Sequence, residues 1–114
     1  GKSVVIIDDS IVRGTTSKRL VKILRDSGAR EIHFRSVSPP IIAPCFLGID
    51  TPKKDDLIAA NMTVEELKDY LGVDSLEFLS VENLINILGS EKHCFGCFTE
   101  KYPVAKPKES ELFN

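Results

Sequence analysis

The sequence contains no apolar run approaching the roughly 18 residues that a membrane-spanning helix requires, and its start lacks the basic region, apolar stretch and small-residue site of a signal peptide. A cytoplasmic protein without a membrane partner is therefore expected. It also lacks an excess of positive charge. Its 15 Lys and Arg against 17 Asp and Glu leave a formal net charge of −2, so no global field exists to hold a nucleic-acid backbone, and nucleic acid is not expected as a partner. Internal repeats and low-complexity tracts are absent. Cysteines number only three, an odd count and a poor basis for a disulfide framework. Gly1 stands where a start methionine is expected, and the apolar segment Val4 to Ile7 begins almost at once, which reads as a fragment of a longer chain.

What is present, 42% hydrophobic and 28% charged residues, is the composition of a globular domain. Four consecutive apolar residues, Val4 to Ile7, fit a strand covered on both faces, which needs neighbours that upstream sequence would supply. After the polar turn from Asp8 to Gly14, a helix is expected from Thr16 to Ser27. Leu20, Ile23 and Leu24 form its apolar face, Lys18, Arg19, Lys22 and Arg25 point outward, and Gly28 stops it. Ile32 and Phe34 then alternate with His33 and Arg35 in a second strand, Glu31 to Val37. Strand, helix and strand with short links imply a parallel crossover.

Prolines at 39, 40 and 44 break regular structure, so a loop is expected through Asp50. Thr51-Pro52 then opens a short helix to Ala60 with threonine as N-cap. Thr63 and Glu66 form a capping box for a helix closed by Gly72. Leu76 to Leu79 reads as a short strand. Ser80 caps a last helix with Val81, Leu84, Ile85 and Leu88 on its apolar face and Gly89 at its end. Alternating strands and helices give an α/β fold. Residues 1–101 are assigned to the domain and 102–114, rich in proline, lysine and acids, to a tail.

The segment Val4 to Thr16 carries the chemistry. It places the carboxylates of Asp8 and Asp9 at the carboxyl end of a buried strand and the hydroxyls of Thr15 and Thr16 at a helix start, the edge where open α/β sheets bind ligands. Unpaired amides after a glycine turn hold a phosphate dianion, while paired acids suit vicinal ribose hydroxyls or a hydrated Mg²⁺. The plain alternative is a solvated turn. Arg13 either contacts phosphate or screens the acids. No lysine follows Gly14, so the turn is not a P-loop.

Four apolar residues, Asp-Asp, four more residues, Gly14 and Thr-Thr resemble the phosphoribosyl pyrophosphate (PRPP) signature of type I phosphoribosyltransferases. The resemblance implies a parallel sheet flanked by helices, incomplete in this chain. It also implies that Asp8 and Asp9 bind the ribose hydroxyls and Mg²⁺ and act in catalysis, and that Ser10, Ile11, Val12, Arg13, Gly14, Thr15 and Thr16 wrap the 5-phosphate.

Of the three cysteines, Cys94 and Cys97 form a C-x-x-C turn in which Gly96 relaxes the backbone near sulfur, as iron-sulfur and zinc sites need. Inert thiols are the plain alternative, and His93 as a further ligand is geometrically awkward beside Cys94, so an exposed histidine is the preferred reading. Ser38-Pro39-Pro40, the stretch from Pro44 to Asp50, Asp56 to Ala59, and Cys94 to Cys97 before Lys101-Tyr102-Pro103 together resemble the glutamine PRPP amidotransferase branch, C-terminal part. That resemblance implies conversion of PRPP and glutamine to 5-phosphoribosylamine, glutamate and pyrophosphate in purine biosynthesis. It further implies a 4Fe-4S cluster held by Cys45, Cys94, Cys97 and one cysteine outside this chain, purine nucleotides as ligands, and a homotetramer completed by upstream glutaminase and phosphoribosyltransferase segments. Taken alone, the chain is expected to be inactive. A PRPP- or nucleotide-sensing regulator and a nucleobase phosphoribosyltransferase are the competing readings, and neither accounts for the cysteines.

Overall fold

A computed structural model describes residues 1–105, 107 and 108. The remaining part of the expected tail, residue 106 and residues 109–114, lies outside the described residues. Three parallel strands, β1 (Ser3–Asp8), β2 (Glu31–Ser36) and β3 (Ser75–Phe78), form a sheet in the order β1-β2-β3. Helix α1 (Thr15–Asp26) connects the first two strands. A 3-10 turn (Lys54–Asp56) and helices α2 (Ile58–Asn61) and α3 (Val64–Leu71) precede β3, and α4 (Val81–Leu88) and α5 (Gly96–Thr99) follow it. The α/β fold read from the alternation of elements is the fold observed.

One face of the sheet makes the core. Ile6, Phe34 and Leu76 lie side by side in the pairing register, and Val21 of α1 with Leu67 and Leu71 of α3 cover them. Burying side chains of the size of Phe34 and Ile32 contributes roughly 1.5–3 kcal/mol each. The opposite face differs from expectation. Val5 and Ile7 are 59% and 72% exposed rather than covered. Their neighbours on β2 and β3 are His33, Arg35, Ser75 and Glu77, tied together by the Arg35 guanidinium, which donates to Ser75 Oγ (2.9 Å) and pairs with Glu77 (3.4 Å), and by the bond between Ser75 Oγ and His33 Nδ1 (2.7 Å). Polar side chains satisfied in this way need no cover, so this face of the sheet is dressed at two strands and bare at one.

Local end signals were obeyed where nothing distant competed. The Thr63 hydroxyl accepts from the Glu66 amide (3.1 Å) while the Glu66 carboxylate accepts from the Thr63 amide (3.2 Å), and Ser80 accepts from Asn83 (3.0 Å). Elsewhere three expectations were met only in part, although Leu20 and Leu24 of α1 do pack against the core. The Thr51 hydroxyl caps no helix, because it accepts the Cys45 amide at 2.8 Å, and the expected single helix becomes a 3-10 turn and α2 with Leu57 fully buried between them. On α1 the buried apolar position is Val21, whereas Ile23 is 55% exposed. The apolar face of α4 is only partly covered, and Leu88 is exposed.

Arg25, expected to point outward, joins three segments. Its guanidinium donates to the carbonyls of Arg30 (2.7 Å) and Gly72 (3.0 Å) and pairs with Asp74 (2.7 Å). The same Asp74 oxygen accepts the Ile32 amide (2.8 Å), so the strand starts of β2 and β3 are fixed to the end of α1. The Ile32 amide, and then Arg25, hold the Asp74 carboxyl below its ordinary value. A carboxylate with a lowered folded value stabilises above its unfolded pKa, and that contribution is lost as pH falls through the folded value. Asp74→Asn should therefore flatten the decline of the urea midpoint on acidification below about pH 4. Equal slopes in the two proteins would remove Asp74 as its source.

Candidate functional site

Strand β1 ends at Asp8, and the chain turns through Asp9 to Arg13 before Gly14 opens α1. Each acid fixes the next residue, since the Asp8 carboxylate accepts the Asp9 amide (2.8 Å) and the Asp9 carboxylate accepts the Ser10 amide (2.7 Å). Ile11 departs from the group because its side chain is 1% exposed and belongs to the core, where it anchors the middle of the turn. Across from it, the Ile58 amide donates to the Val12 carbonyl at 3.0 Å.

Gly14 is favoured chiefly by its backbone, with a lesser contribution from packing. Its φ of 81° lies in the left-handed region that L side chains rarely adopt, and an added Cβ would stand 2.8 Å from Ile58 Cδ1. The Lys18 amide donates to the Gly14 carbonyl (2.9 Å), which starts the helical ladder. The amides ahead of it have no acceptor within the helix and are available to an anion.

A cavity of about 340 Å³ opens at this corner, lined by Asp8, Asp9, Ser10, Val12, Arg13, Gly14, Thr15, Thr16 and Ser17. The structure thus brings together eight of the nine residues singled out for the turn and excludes Ile11 from the lining. Ser17 was missed. It occupies a buried position one turn ahead of Val21 on the core face of α1, and residue type alone gave no reason to select it. Arg13 lies 3.9 Å from Asp56, both side chains more than half exposed.

As a cation site, the paired acids supply hard oxygen donors with lone pairs to spare. Among the described residues no group of three or more His, Cys, Asp or Glu comes together to hold a metal. Two carboxylates therefore suit a hydrated Mg²⁺ that shares its remaining oxygens with a bound ligand and not a closed protein cage.

The cysteines lie in one neighbourhood at the other side of the 3-10 turn. The amides of Ile42 and Ala43 donate to the Cys97 carbonyl (2.9 and 3.1 Å), which lays the loop ahead of Cys45 along α5. The Leu47 amide donates to Cys45 Sγ at 3.3 Å, and this bond, with the Ile49 amide next, holds the Cys45 thiol below its ordinary pKa. Burial, reinforced by the charges of Cys45 and Cys94, pushes Cys97 up. Three thiols, one of them facing amide donors, are soft donors of the type that an iron-sulfur centre takes. The three thiols are free, and they do not form a closed ligand set.

The C-x-x-C segment is helical in its second half, α5, which the sequence did not reveal. Gly96 has a different role from the one expected: a Cβ there would meet the Tyr102 ring at 2.4 Å, so close packing against an aromatic, not freedom near sulfur, demands glycine. Tyr102, assigned to the tail, donates its hydroxyl to the Pro44 carbonyl at 2.6 Å. Glu100 adopts φ 64° at the end of α5 and accepts from Lys54 at 2.6 Å, which joins the cysteine segment to the 3-10 turn that also carries Asp56.

No protein-family model matches the chain. Among curated proteins, amidophosphoribosyltransferase 2, chloroplastic, of Arabidopsis thaliana is 54% identical over 114 residues, covering 98% of this chain and 20% of the relative. The amidophosphoribosyltransferase of Archaeoglobus fulgidus is 51% identical over 113 residues, 25% of its length, and that of Bacillus subtilis is 51% identical over 109 residues, 23% of its length. Among solved structures, a glutamine PRPP amidotransferase from B. subtilis complexed with ADP and GMP superposes with a TM-score of 0.87 at 49% identity, over 96% of this chain and 25% of that one. The chain therefore spans about a fifth to a quarter of the relatives it matches. No described helix is long and apolar enough to cross a membrane.

Gly14→Ala should lower stability by about 1–2 kcal/mol through the left-handed backbone and the Ile58 contact. Urea unfolding measures this. An unchanged midpoint would show that the turn tolerates another backbone conformation.

Proposed function

Since the chain is homologous to one stretch of the amidophosphoribosyltransferases, about a fifth to a quarter of their length, we propose that it supplies the ribose 5-phosphate site of such an enzyme. The whole polypeptide would convert PRPP and glutamine to 5-phosphoribosylamine, glutamate and pyrophosphate, the committed step of purine biosynthesis. One observation carries the reading: two carboxylates, two threonines and the open amides of a helix start line a single cavity.

In that cavity the segment from Ser10 to Thr16 wraps the 5-phosphate, with the open main-chain NH groups of the helix start and the Thr15 and Thr16 hydroxyls as donors. Asp8 and Asp9 take the ribose 2- and 3-hydroxyls, which orients the anomeric carbon toward the incoming ammonia. Positive charge develops on the ribose ring as the bond to pyrophosphate breaks, and the fixed carboxylates stabilise it. Mg²⁺, held by Asp8 and Asp9 directly or through water, supplies neutralisation of the leaving group when bound. Arg13, paired with Asp56, contributes positive potential at the rim instead of a direct bond to the acids.

Cys45, Cys94 and Cys97, with one cysteine from elsewhere in the enzyme, would hold a 4Fe-4S cluster. Its role is structural or regulatory, since ammonia transfer requires no electron. Purine nucleotides would act as ligands, in keeping with the ADP and GMP bound to the B. subtilis neighbour, and homotetramers would be the assembled form. A cytoplasmic setting fits this reading, although the plant relatives named chloroplastic work elsewhere.

In the intact enzyme, Asp8→Asn and Asp9→Asn should each lower phosphoribosylamine synthesis on the order of 100-fold, the scale of losing one charge-stabilising group. Synthesis at the original rate in both variants would remove these residues from their assigned roles. Iron and sulfide analysis of anaerobically purified enzyme should find about four of each per chain, and their absence would leave the cysteines without a cluster.

A further inference from the structure

Tyr102 touches the immediate surroundings of both halves of the cysteine set. Its hydroxyl donates to the carbonyl of Pro44, the residue before Cys45. Its ring packs against that of Phe46, the residue after Cys45, at a centroid distance of 5.1 Å with the planes tilted by 59°. The same ring rests on Gly96, the residue before Cys97, closely enough that a methyl group there would stand 2.4 Å from Tyr102 Cδ1. Two backbone bonds run along the same seam, from the Ile42 and Ala43 amides to the Cys97 carbonyl. Chain position gives no hint of this, because Tyr102 begins the proline- and lysine-rich end of the sequence.

We propose that Tyr102 is the positioning residue of the cysteine site, holding the loop that carries Cys45 against the Cys94–Cys97 segment before any group is bound. The inference deepens the cluster reading above and rests on it for its functional meaning. A site assembled from a loop and a distant helix must otherwise order both when its group arrives, and a clamp made of a hydrogen bond, a tilted ring contact and a glycine contact supplies that order in advance. None of the three contacts uses a thiol, so the clamp leaves every sulfur available as a ligand.

The test compares the intact enzyme with Tyr102→Phe, which keeps the ring and loses the hydroxyl bond, and Tyr102→Leu, which loses both the bond and the ring contact. In the iron-free enzyme, hydrogen exchange at the Ile42 and Ala43 amides should quicken by about threefold to tenfold in Tyr102→Phe, the range for one hydrogen bond, and further in Tyr102→Leu. Amides of β2 and α3 should exchange as before. In the iron-loaded enzyme, iron loss to a chelator should quicken in the same order, and the visible circular dichroism of the centre should shift while the urea midpoint of Tyr102→Phe stays put. Exchange and iron loss equal to wild type in both variants would overturn the clamp and leave the cluster reading standing. Wild-type enzyme without iron would overturn the cluster reading, and exchange at Ile42 and Ala43 would still decide the clamp. Should Tyr102→Leu fail to fold, Tyr102→Phe alone carries the decision.

Discussion

The contact between Ile58 and Gly14 sets the geometry on which the candidate site depends. Ile58 brings its Cδ1 to the place where a side chain at position 14 would begin, and its amide bonds the Val12 carbonyl. With Ile11 buried in the core, the turn between β1 and α1 is held from both sides. Freedom is thereby removed from a loop that would otherwise have to be ordered by its ligand. The carboxylates and open amides consequently share a cavity in the free protein, which is the preorganisation that recognition of a charged sugar phosphate requires.

The second region is built on a different principle. Around the cysteines there is little buried apolar area, and α5 has only four residues. Order comes instead from specific polar ties: the Thr51 hydroxyl to the Cys45 amide, the Cys97 carbonyl to Ile42 and Ala43, and Tyr102 to Pro44. Each such bond adds only about 0.5–1.5 kcal/mol. A region held in this way is the natural place for a bound group to add stability, because binding free energy becomes folding free energy there.

Much of this was legible from the residues, for physical reasons that differ from place to place. Thr63 with Glu66, and Ser80, were read correctly because capping is a contact between residues three apart. The turn residues other than Ile11 do line one cavity, because a strand end, a glycine turn and a helix start consecutive in the chain bring their side chains to one corner. Thr51 was misread because its hydroxyl is taken by Cys45, a partner no local pattern discloses. Val5 and Ile7 were misread because an apolar run does not say which face of a strand another layer will reach. Arg25 shows a further limit, since a basic residue on the outer stripe of a helix reads as solvated until three separate chain segments are seen to meet beneath it. Gly96 was recognised as necessary for the wrong reason, because the aromatic that excludes a side chain there lies in a segment with no regular structure of its own.

Glu100 shows local and distant demands pulling in opposite directions. A glycine at that corner would relax the left-handed backbone by about 1 kcal/mol, so conformational preference alone argues against an acid there. Yet the carboxylate spans to Lys54, on the short 3-10 segment whose Asp56 faces Arg13 at the rim of the binding cavity. An unfavourable torsion is thus tolerated where a long side chain bridges the sulfur-bearing arm and the 3-10 turn. Glycine in its place would ease the backbone and remove one of the ties between the two regions, leaving the bond from the Cys45 amide to Thr51 as another.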